Sequence, residues 1–369
     1  MQTIPREQLR IEALQAIRTR YGPMDVGMLE RTAHALELLG RLVDSGVDLV
    51  FKGGTSLILR LQAIRRLSID VDIICSWPRE KLDPILREIG RKPPFLDFEE
   101  HVRRKDGLPA RRHYKFYFKS VVDGKRLPIV LDVLEEENPY GDIEPISMEN
   151  PFFKLDHAIQ VRVPTVDQLL GDKLTAFAPR TIGILFDPEA TTQIAKQLFD
   201  VGELFTVADD LAAVRQTFDR ICQDQIGYRG NKHTRDQVLS DTFSASLALC
   251  RHGLARDLEN DVEPCRLLEE GIGKMANYLV RSRFGRDESR IAASRAALLC
   301  HMLQNGECNG RLRDRRFDAE KQEALGQIQI QWPQGALNKL LSTTPEAFYY
   351  WAEIFKSLPG RTPPKKAPK

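Results

Sequence analysis

Two adjoining stretches constrain this chain more than any other: Phe51-Lys52-Gly53-Gly54-Thr55-Ser56-Leu57, then Arg66-Leu67-Ser68-Ile69-Asp70-Val71-Asp72-Ile73. They read as strand, glycine turn, short helix, strand. Leu49, Val50 and Phe51 close an apolar run, Gly53 and Gly54 break it, and Thr55 is placed to cap the helix that follows. From Ser68 to Cys75 the pattern has period two, with Ile69, Val71 and Ile73 on one face and Ser68, Asp70 and Asp72 on the other. Two carboxylates on one strand face beside a core repel each other unless a cation lies with them. Oxygen ligands that close suit Mg²⁺, which takes one or two carboxylates plus substrate phosphates. The glycines upstream offer bare backbone N–H groups to a phosphate, and a helix N-terminus follows them. A Gly-Gly pair alone is usually a turn, and a D-x-D alone is often a solvated strand end. In this order they follow the logic of metal-assisted nucleotidyl transfer.

Composition sets limits around that reading. A chain of 369 residues has room for two domains. Its formal net charge of +2 gives no global polyanion-binding signal, so any nucleic-acid contact has to come from local patches. No apolar run approaches the length of a membrane span, and the polar N-terminus has no signal-peptide core. Cys75, Cys222, Cys250, Cys265, Cys300 and Cys308 form no C-x-x-C pair and no metal spacing, which reads as reduced thiols in a cytoplasmic protein.

Helices are expected over about 5–20, about 27–45 and from Trp77-Pro78 to Ile89, with a loop at Lys92-Pro93-Pro94. His113–Lys119 and Leu127–Val133 alternate around Asp123-Gly124, which favours a two-residue hairpin turn. That turn pairs Val122 with Lys125, Phe118 with Ile129, Phe116 with Leu131 and Lys115 with Asp132. The register matches the apolar faces and puts Asp132 on the polar one. There it is either a third carboxylate beside Asp70 and Asp72 or half of a solvated Lys115–Asp132 pair. Arg103, Arg104, Lys105, Arg111, Arg112, Lys115 and Lys119 interleave with His113, Tyr114 and Tyr117. Such a stretch can hold phosphates and stack bases. A charged edge strand explains it as well, and is the preferred reading.

After a polar loop near 135–150, a short strand is expected over 158–163, then a helix in which Thr165 and Gln168 fit a capping box. Lys173 interrupts that helix's stripe of Val166, Leu169, Leu170 and Phe177. It either snorkels, pairs with an anion of the protein or aims its ammonium at a nucleotide phosphate. On the next helix, about 189–206, the stripe of Ile194, Leu198, Val201 and Phe205 leaves Asp200 nearly opposite, as a surface acid paired with Lys196. Beyond 207 the chain reads as helices, with apolar clusters that include 272–280. Trp332, Tyr349, Tyr350 and Trp351 read as core or partner-facing, and the Pro- and Lys-rich tail from Pro359 as disordered.

The glycine pair followed by Asp70-x-Asp72 resembles the signature of the DNA polymerase β-like nucleotidyltransferase superfamily. A longer gap between Gly54 and Asp70 enlarges the loop carrying Arg60, Arg65 and Arg66. More narrowly, K-G-G-T-S-L…R-x-S-x-D-x-D resembles the AbiEii/AbiGii family of nucleotidyltransferase toxins. Asp172–Arg180 is similar to that family's K-L-x-A-x-x-x-R motif. Lys196–Val201 is similar to its R-D-x-x-D-[IL] motif, although Lys196 and Gln197 depart from the Arg-Asp pair. The resemblance covers roughly residues 45–205. It implies an α+β fold: a polymerase β-like nucleotidyltransferase core with a mixed sheet, followed by a C-terminal all-helical domain. The implied division is 1–45 as N-terminal helices packing on the core, 46–206 as the core with its motif helices, 207–358 as the helical domain and 359–369 as a basic tail.

The resemblance also implies a function. This is Mg²⁺-dependent transfer of a nucleotide from an NTP to an RNA acceptor, with a tRNA 3′ end the first guess. The enzyme would be a cytoplasmic toxin of a bacterial toxin–antitoxin or phage-defence pair, with a cognate antitoxin protein as partner and no membrane association. Asp70 and Asp72 would bind the metal, with Asp132 completing the set. Lys52, Gly53, Gly54, Thr55, Ser56, Arg66, Ser68 and Arg180 would hold the nucleotide, and Asp70, Asp72, Lys173 and Asp200 would be catalytic. The rivals are transfer to a protein hydroxyl or small molecule, and a nucleotide-binding scaffold without turnover. The retained acids and Lys173 argue against the scaffold.

Overall fold

The computed structural model describes residues 2–100, 111–254, 262–307, 309–331 and 333–356. Arg103, Arg104, Lys105, Cys308, Trp332 and the tail from Pro359 lie outside them. The chain divides into two compact units, Met1–Leu169 with Ala276–Arg283, and Leu170–Met275 with Phe284–Lys369.

The first unit mixes helices and strands, as the α+β reading expects. The expected first helix is a 3₁₀ turn, Arg6–Leu9, and α1, Ile11–Tyr21, separated by extended backbone at Arg10. α2, Val26–Asp44, is capped by Asp25, whose carboxylate accepts the Met28 N–H. Then come β1 (Val50–Lys52), α3 (Gly53–Arg60), β2 (Val71–Ile74), α4 (Arg79–Gly90) and β3 (Phe95–Glu100). β4 (Arg111–Lys119), β5 (Arg126–Leu134), β6 (Ile143–Ser147) and β7 (Gln160–Pro164) follow, and α5 (Val166–Ala176) runs on into the second unit. The Thr165–Gln168 capping box at the start of α5 is formed.

Five strands make one mixed sheet in the order β1-β2-β5-β4-β3. β2 and β5 run parallel, and the other neighbours are antiparallel. β6 and β7 form a separate pair. The period-two face holds: Ile69, Val71 and Ile73 are buried, while Ser68, Asp70 and Asp72 are partly exposed.

Two expectations about β4 are corrected. Its register with β5 is displaced by two, so Lys119 faces Arg126, Phe116 faces Ile129, and Asp132 faces His113 in place of Lys115. The connection is longer than a two-residue turn because α2 ties it down. Buried Glu30 accepts the Ser120 hydroxyl at 2.7 Å and the Val121 N–H at 2.6 Å, and the Ser120 oxygen accepts the Val122 and Asp123 N–H groups. A shift of two keeps every side chain on its face, so Asp132 stays on the polar side. β4 is also an interior strand. The edge is β3, in a stretch the sequence pattern left unassigned. Several polar residues of β4 therefore serve the fold: Arg112 is buried, with Glu135 at 3.0 Å and the Trp77 carbonyl at 2.8 Å, and the Tyr114 hydroxyl donates to Asp83 at 2.8 Å.

α2 buries a polar line as well as an apolar one. Glu37 accepts the Thr3 and Ile4 N–H groups and pairs with Arg41 at 2.6 Å. His34 stacks on Phe118 with ring centroids 3.8 Å apart, and its Nδ1 bonds the Glu30 carbonyl. Burial pushes the His34 imidazole down to about 4. The unfolded chain therefore takes up a proton near pH 6.5 that the folded protein refuses. Stability through this group is full above pH 6.5 and falls as the pH drops toward 4, by about 2 kcal/mol at pH 5. Urea unfolding at pH 7 and pH 5 is expected to show wild type losing that much more than His34→Phe, which keeps the ring contact. Equal losses would remove His34 as the cause.

The second unit is helical: α6 (Thr191–Phe205), α7 (Leu211–Tyr228), α8 (Arg235–Arg251), α9 (Val262–Lys274), α10 (Arg286–Gln304), α11 (Ala319–Ala324), α12 (Leu340–Thr343) and α13 (Pro345–Lys356). α10 packs on α6, α8 and α13, with Ala292, Ala293, Ala296 and Ala297 buried along it. It packs tightly on α6 at Gly202, where a Cβ would meet the Ala292 Cβ at 2.6 Å. Tyr349, Tyr350 and Trp351 are core residues. The five described cysteines are buried, and burial pushes Cys222 and Cys250 up to about 12, so neither of these two is poised to react. Among the described residues no helix is long and apolar enough to cross a membrane.

Candidate active site

In the first unit the glycine turn and the acids meet. β1 lies antiparallel to β2 with Lys52 opposite Asp72, and β5 lies parallel on the other side with Asp132 opposite Asp72. Asp70, two residues before Asp72, lies just ahead of β2 and is partly exposed, as Asp72 is. Asp132 is not solvated alone. His113 Nδ1 lies 2.5 Å from its Oδ1, so the imidazole holds that carboxylate. Among the described residues no set of three or more His, Cys, Asp or Glu is arranged as a metal cage.

Gly53 has φ +74°, a backbone that side chains rarely adopt, and a Cβ there would lie 2.0 Å from Asp72 Oδ2. The Asp72 carboxylate therefore rests directly on the turn. At Gly54 a Cβ would meet Arg66 Nη2 at 2.5 Å and Ser68 Oγ at 2.9 Å. The bareness of both glycines thus accommodates the protein's own polar side chains. α3 starts at Gly53 behind Lys52, with no side chain capping it, which leaves its first N–H groups without intrahelical partners.

Thr55 does not cap α3. It is the third residue of the helix, and its hydroxyl donates to the Asp70 carbonyl at 2.5 Å, pinning the acid-bearing segment to α3. The Ser56 hydroxyl donates to the Gly53 carbonyl at 2.8 Å. Both hydroxyls are buried, so what they supply to the site is the shape of the turn. Lys52 lies over the Tyr140 ring, 5.7 Å from its centroid.

The loop carrying Arg66 is held by a segment far away in sequence. Leu67 N–H donates to the Tyr278 carbonyl at 2.6 Å, Val280 N–H to the Arg65 carbonyl at 2.9 Å, and Arg66 bridges to Leu279. Ala276–Arg283 was expected among the helices of the C-terminal half, but it packs in the first unit. Its backbone hydrogen-bonding is invisible to apolar periodicity.

Gly53→Ala tests the turn. It forces an unfavourable φ and displaces the Asp72 carboxylate, so transfer is expected to fall by about 10²-fold. A transfer assay beside a melting curve checks it, and normal turnover would remove the Gly53–Asp72 contact from the site.

The remaining predicted residues lie in the second unit. Lys173 Nζ is 3.0 Å from Asp200 Oδ2 and 3.2 Å from Gln197 Oε1. The expectation that Asp200 is a surface acid is corrected: it is 0 % exposed. α6 packs against α9 and α10 as well, so the side nearly opposite its apolar stripe is buried too. The Lys173 stripe position is explained by this counter-ion. Arg180 is fixed through its main chain, whose N–H donates to Asp241 of α8 at 2.7 Å, while its guanidinium lies over Phe186. Asp241 also accepts the Thr181 hydroxyl, and burial raises its carboxyl above the usual range. His113 was read only as part of the basic and aromatic stretch, not as the partner of Asp132, and Asp241 was not singled out. A corrected hairpin register would have found the first, whereas nothing local marks the second.

A five-stranded mixed sheet with paired acids beside a glycine turn, continued by helices, is the arrangement that a nucleotidyltransferase core is expected to have. Residues 37–275 match the family described as "Nucleotidyl transferase AbiEii toxin, Type IV TA system". The fold is similar to that of MenT4, a nucleotidyltransferase toxin of Mycobacterium tuberculosis H37Rv, with TM-score 0.51 and 16 % identity over 91 % of this chain and 97 % of that one. JHP933 of Helicobacter pylori matches with TM-score 0.39 and 15 % identity over 77 % of this chain and 95 % of its own. An antigenic nucleotidyltransferase-like protein of Paracoccidioides brasiliensis matches with TM-score 0.37 and 13 % identity over 57 % and 92 %. No curated protein matches by sequence. The chain belongs to the AbiEii family: it is a nucleotidyltransferase toxin of a type IV toxin–antitoxin system.

Proposed function

We propose that this toxin transfers a nucleotide from an NTP to an RNA acceptor in a Mg²⁺-dependent reaction, with a tRNA 3′ end as the first acceptor. The single observation carrying the chemistry is the Asp72 carboxylate resting on Gly53 at the uncapped start of α3, which unites the acids with the phosphate cradle. Asp70 and Asp72 supply hard oxygens that fit a divalent cation completed by substrate phosphates, and Asp132 stands one strand away as the third acid. When bound, such a cation stabilises charge on attacking and leaving oxygens.

The chain's own part is binding and orientation. The first N–H groups of α3 take phosphate oxygens, with Lys52, Arg66 and Ser68 around the same turn. Thr55 and Ser56 keep that turn in shape. Lys173, Asp200 and Arg180 join this reading as the family's motif residues, Lys173 with Asp200 as its counter-ion. The RNA acceptor, the cytoplasmic setting and a role in phage defence rest on the family resemblance.

The test is incubation with each labelled NTP, Mg²⁺ and total cell RNA. Label in tRNA is the expected result. Label confined to protein or to small molecules would overturn the acceptor, and no label with any NTP would favour the scaffold.

A further inference from the structure

We propose that a pocket at the start of α10, in the second unit, binds a phosphate group through Arg290. The pocket has a volume of about 240 Å³. That is below the range of sites that enclose a whole small-molecule ligand, and it leaves ample room for a phosphate. Its walls are the end of α8 with His252, the end of α9 with Glu269 and Gly273, and the first turns of α10 with Arg286 and Arg290.

Arg290 is the anomaly that points to a ligand. It is 5 % exposed, its Nη2 donates to the His252 carbonyl at 2.8 Å, and its Nε has no hydrogen-bond partner. Arg41 and Arg112 are buried to a similar degree, and each has a carboxylate within reach, Glu37 at 2.6 Å and Glu135 at 3.0 Å. Among the described residues no carboxylate lies within ion-pair distance of Arg290. A buried guanidinium without a counter-ion is costly, and an anion in the adjoining pocket supplies the missing charge.

The pocket's acid acts on Arg290 only from beyond ion-pair distance. Glu269 is engaged by His252 Nδ1 at 3.0 Å and by Arg286 at 3.6 Å. The start of α10 adjoins the pocket: the Glu288 carboxylate accepts the Gly285 N–H at 2.9 Å, and Gly285 itself has no side chain to cap the N–H groups that follow. A buried guanidinium facing a pocket is the chemistry that recognises a phosphate, whether free or in the backbone of an RNA. This site is independent of the strand acids and of the reading built on them.

The experiment is thermal melting of the full chain in phosphate-free buffer and with inorganic phosphate. Wild type is expected to rise by about 2 °C or more at saturating phosphate. Arg290→Met is expected to lose that rise and, without phosphate, to melt no lower than wild type, since it removes an unpaired buried cation. Gly273→Asp gives an answer that does not depend on deleting Arg290. Gly273 lines the pocket and a Cβ there meets nothing within 4 Å, so a carboxylate fits on the pocket wall as a built-in anion. It should suppress the phosphate-dependent rise, whereas Gly273→Asn should keep it. No rise in wild type, or the same rise in Arg290→Met and Gly273→Asp, overturns the site. The source is read from a short RNA lacking terminal phosphates: weaker RNA binding by Arg290→Met assigns the site to the phosphodiester backbone, and unchanged RNA binding with a lost phosphate rise assigns it to free phosphate.

Discussion

Asp72→Asn is expected to lower nucleotidyl transfer by about 10³-fold while leaving the protein folded. Asp72 is the residue on which the site's elements converge. It faces Lys52 on one strand and Asp132 on another, and its carboxylate rests on the glycine that opens α3. Asn has nearly the same shape, so the contact with Gly53 survives and only the charge is lost. Removing one of several acids crowded on one sheet face relieves repulsion in the metal-free protein, so the melting temperature in EDTA should hold or rise slightly. Asp70→Asn should behave in the same way. A clear drop in melting temperature with EDTA present would show that the acids are structural. Residual transfer near the wild-type rate would place the metal elsewhere.

Lys173→Met is expected to destabilise the second unit. The ammonium and the Asp200 carboxylate are 8 % and 0 % exposed and 3.0 Å apart. Breaking a buried pair leaves one charge without its partner and costs about 3–5 kcal/mol. For a unit of this size that is a fall of about 10 °C in melting temperature. Replacing both partners, as Lys173→Met with Asp200→Leu, should recover most of the loss, because an apolar pair needs no desolvation of charge. The double variant separates the roles. If it is stable and transfers nucleotide normally, the pair locks α5 against α6. If it is stable and inactive, the pair belongs to the chemistry. A single variant as stable as wild type would contradict the structural account.

The strand–turn–helix–strand core was legible because each piece has a local cause. Two glycines break an apolar run, alternation marks β2, and Thr165 with Gln168 announces α5. The polar face of Asp132 was legible because alternation fixes it under any even shift of register. Its neighbour was not, since the shift depends on Glu30 gripping the hairpin from α2, a contact between residues 91 apart in sequence. Asp200 was misplaced for a related reason. Helical periodicity reveals one apolar stripe but says nothing of a second face covered by α9 and α10. Thr55 looked like a cap because Thr follows glycines at a helix start, yet the helix begins two residues earlier and the hydroxyl bonds Asp70 instead.

The return of Ala276–Arg283 to the first unit governs how this toxin comes into being on the ribosome. The loop that holds Arg66 is finished only by backbone bonds to Tyr278 and Val280. The first unit therefore cannot complete itself when its own contiguous residues emerge. It must wait until most of the helical half has been synthesised. A nascent or prematurely terminated chain carries every acid of the site and still lacks the strap that orders it. Translation order thus puts the last piece of the first unit late in synthesis, and any fragment or chimera cut between the two halves has to bring that strap along.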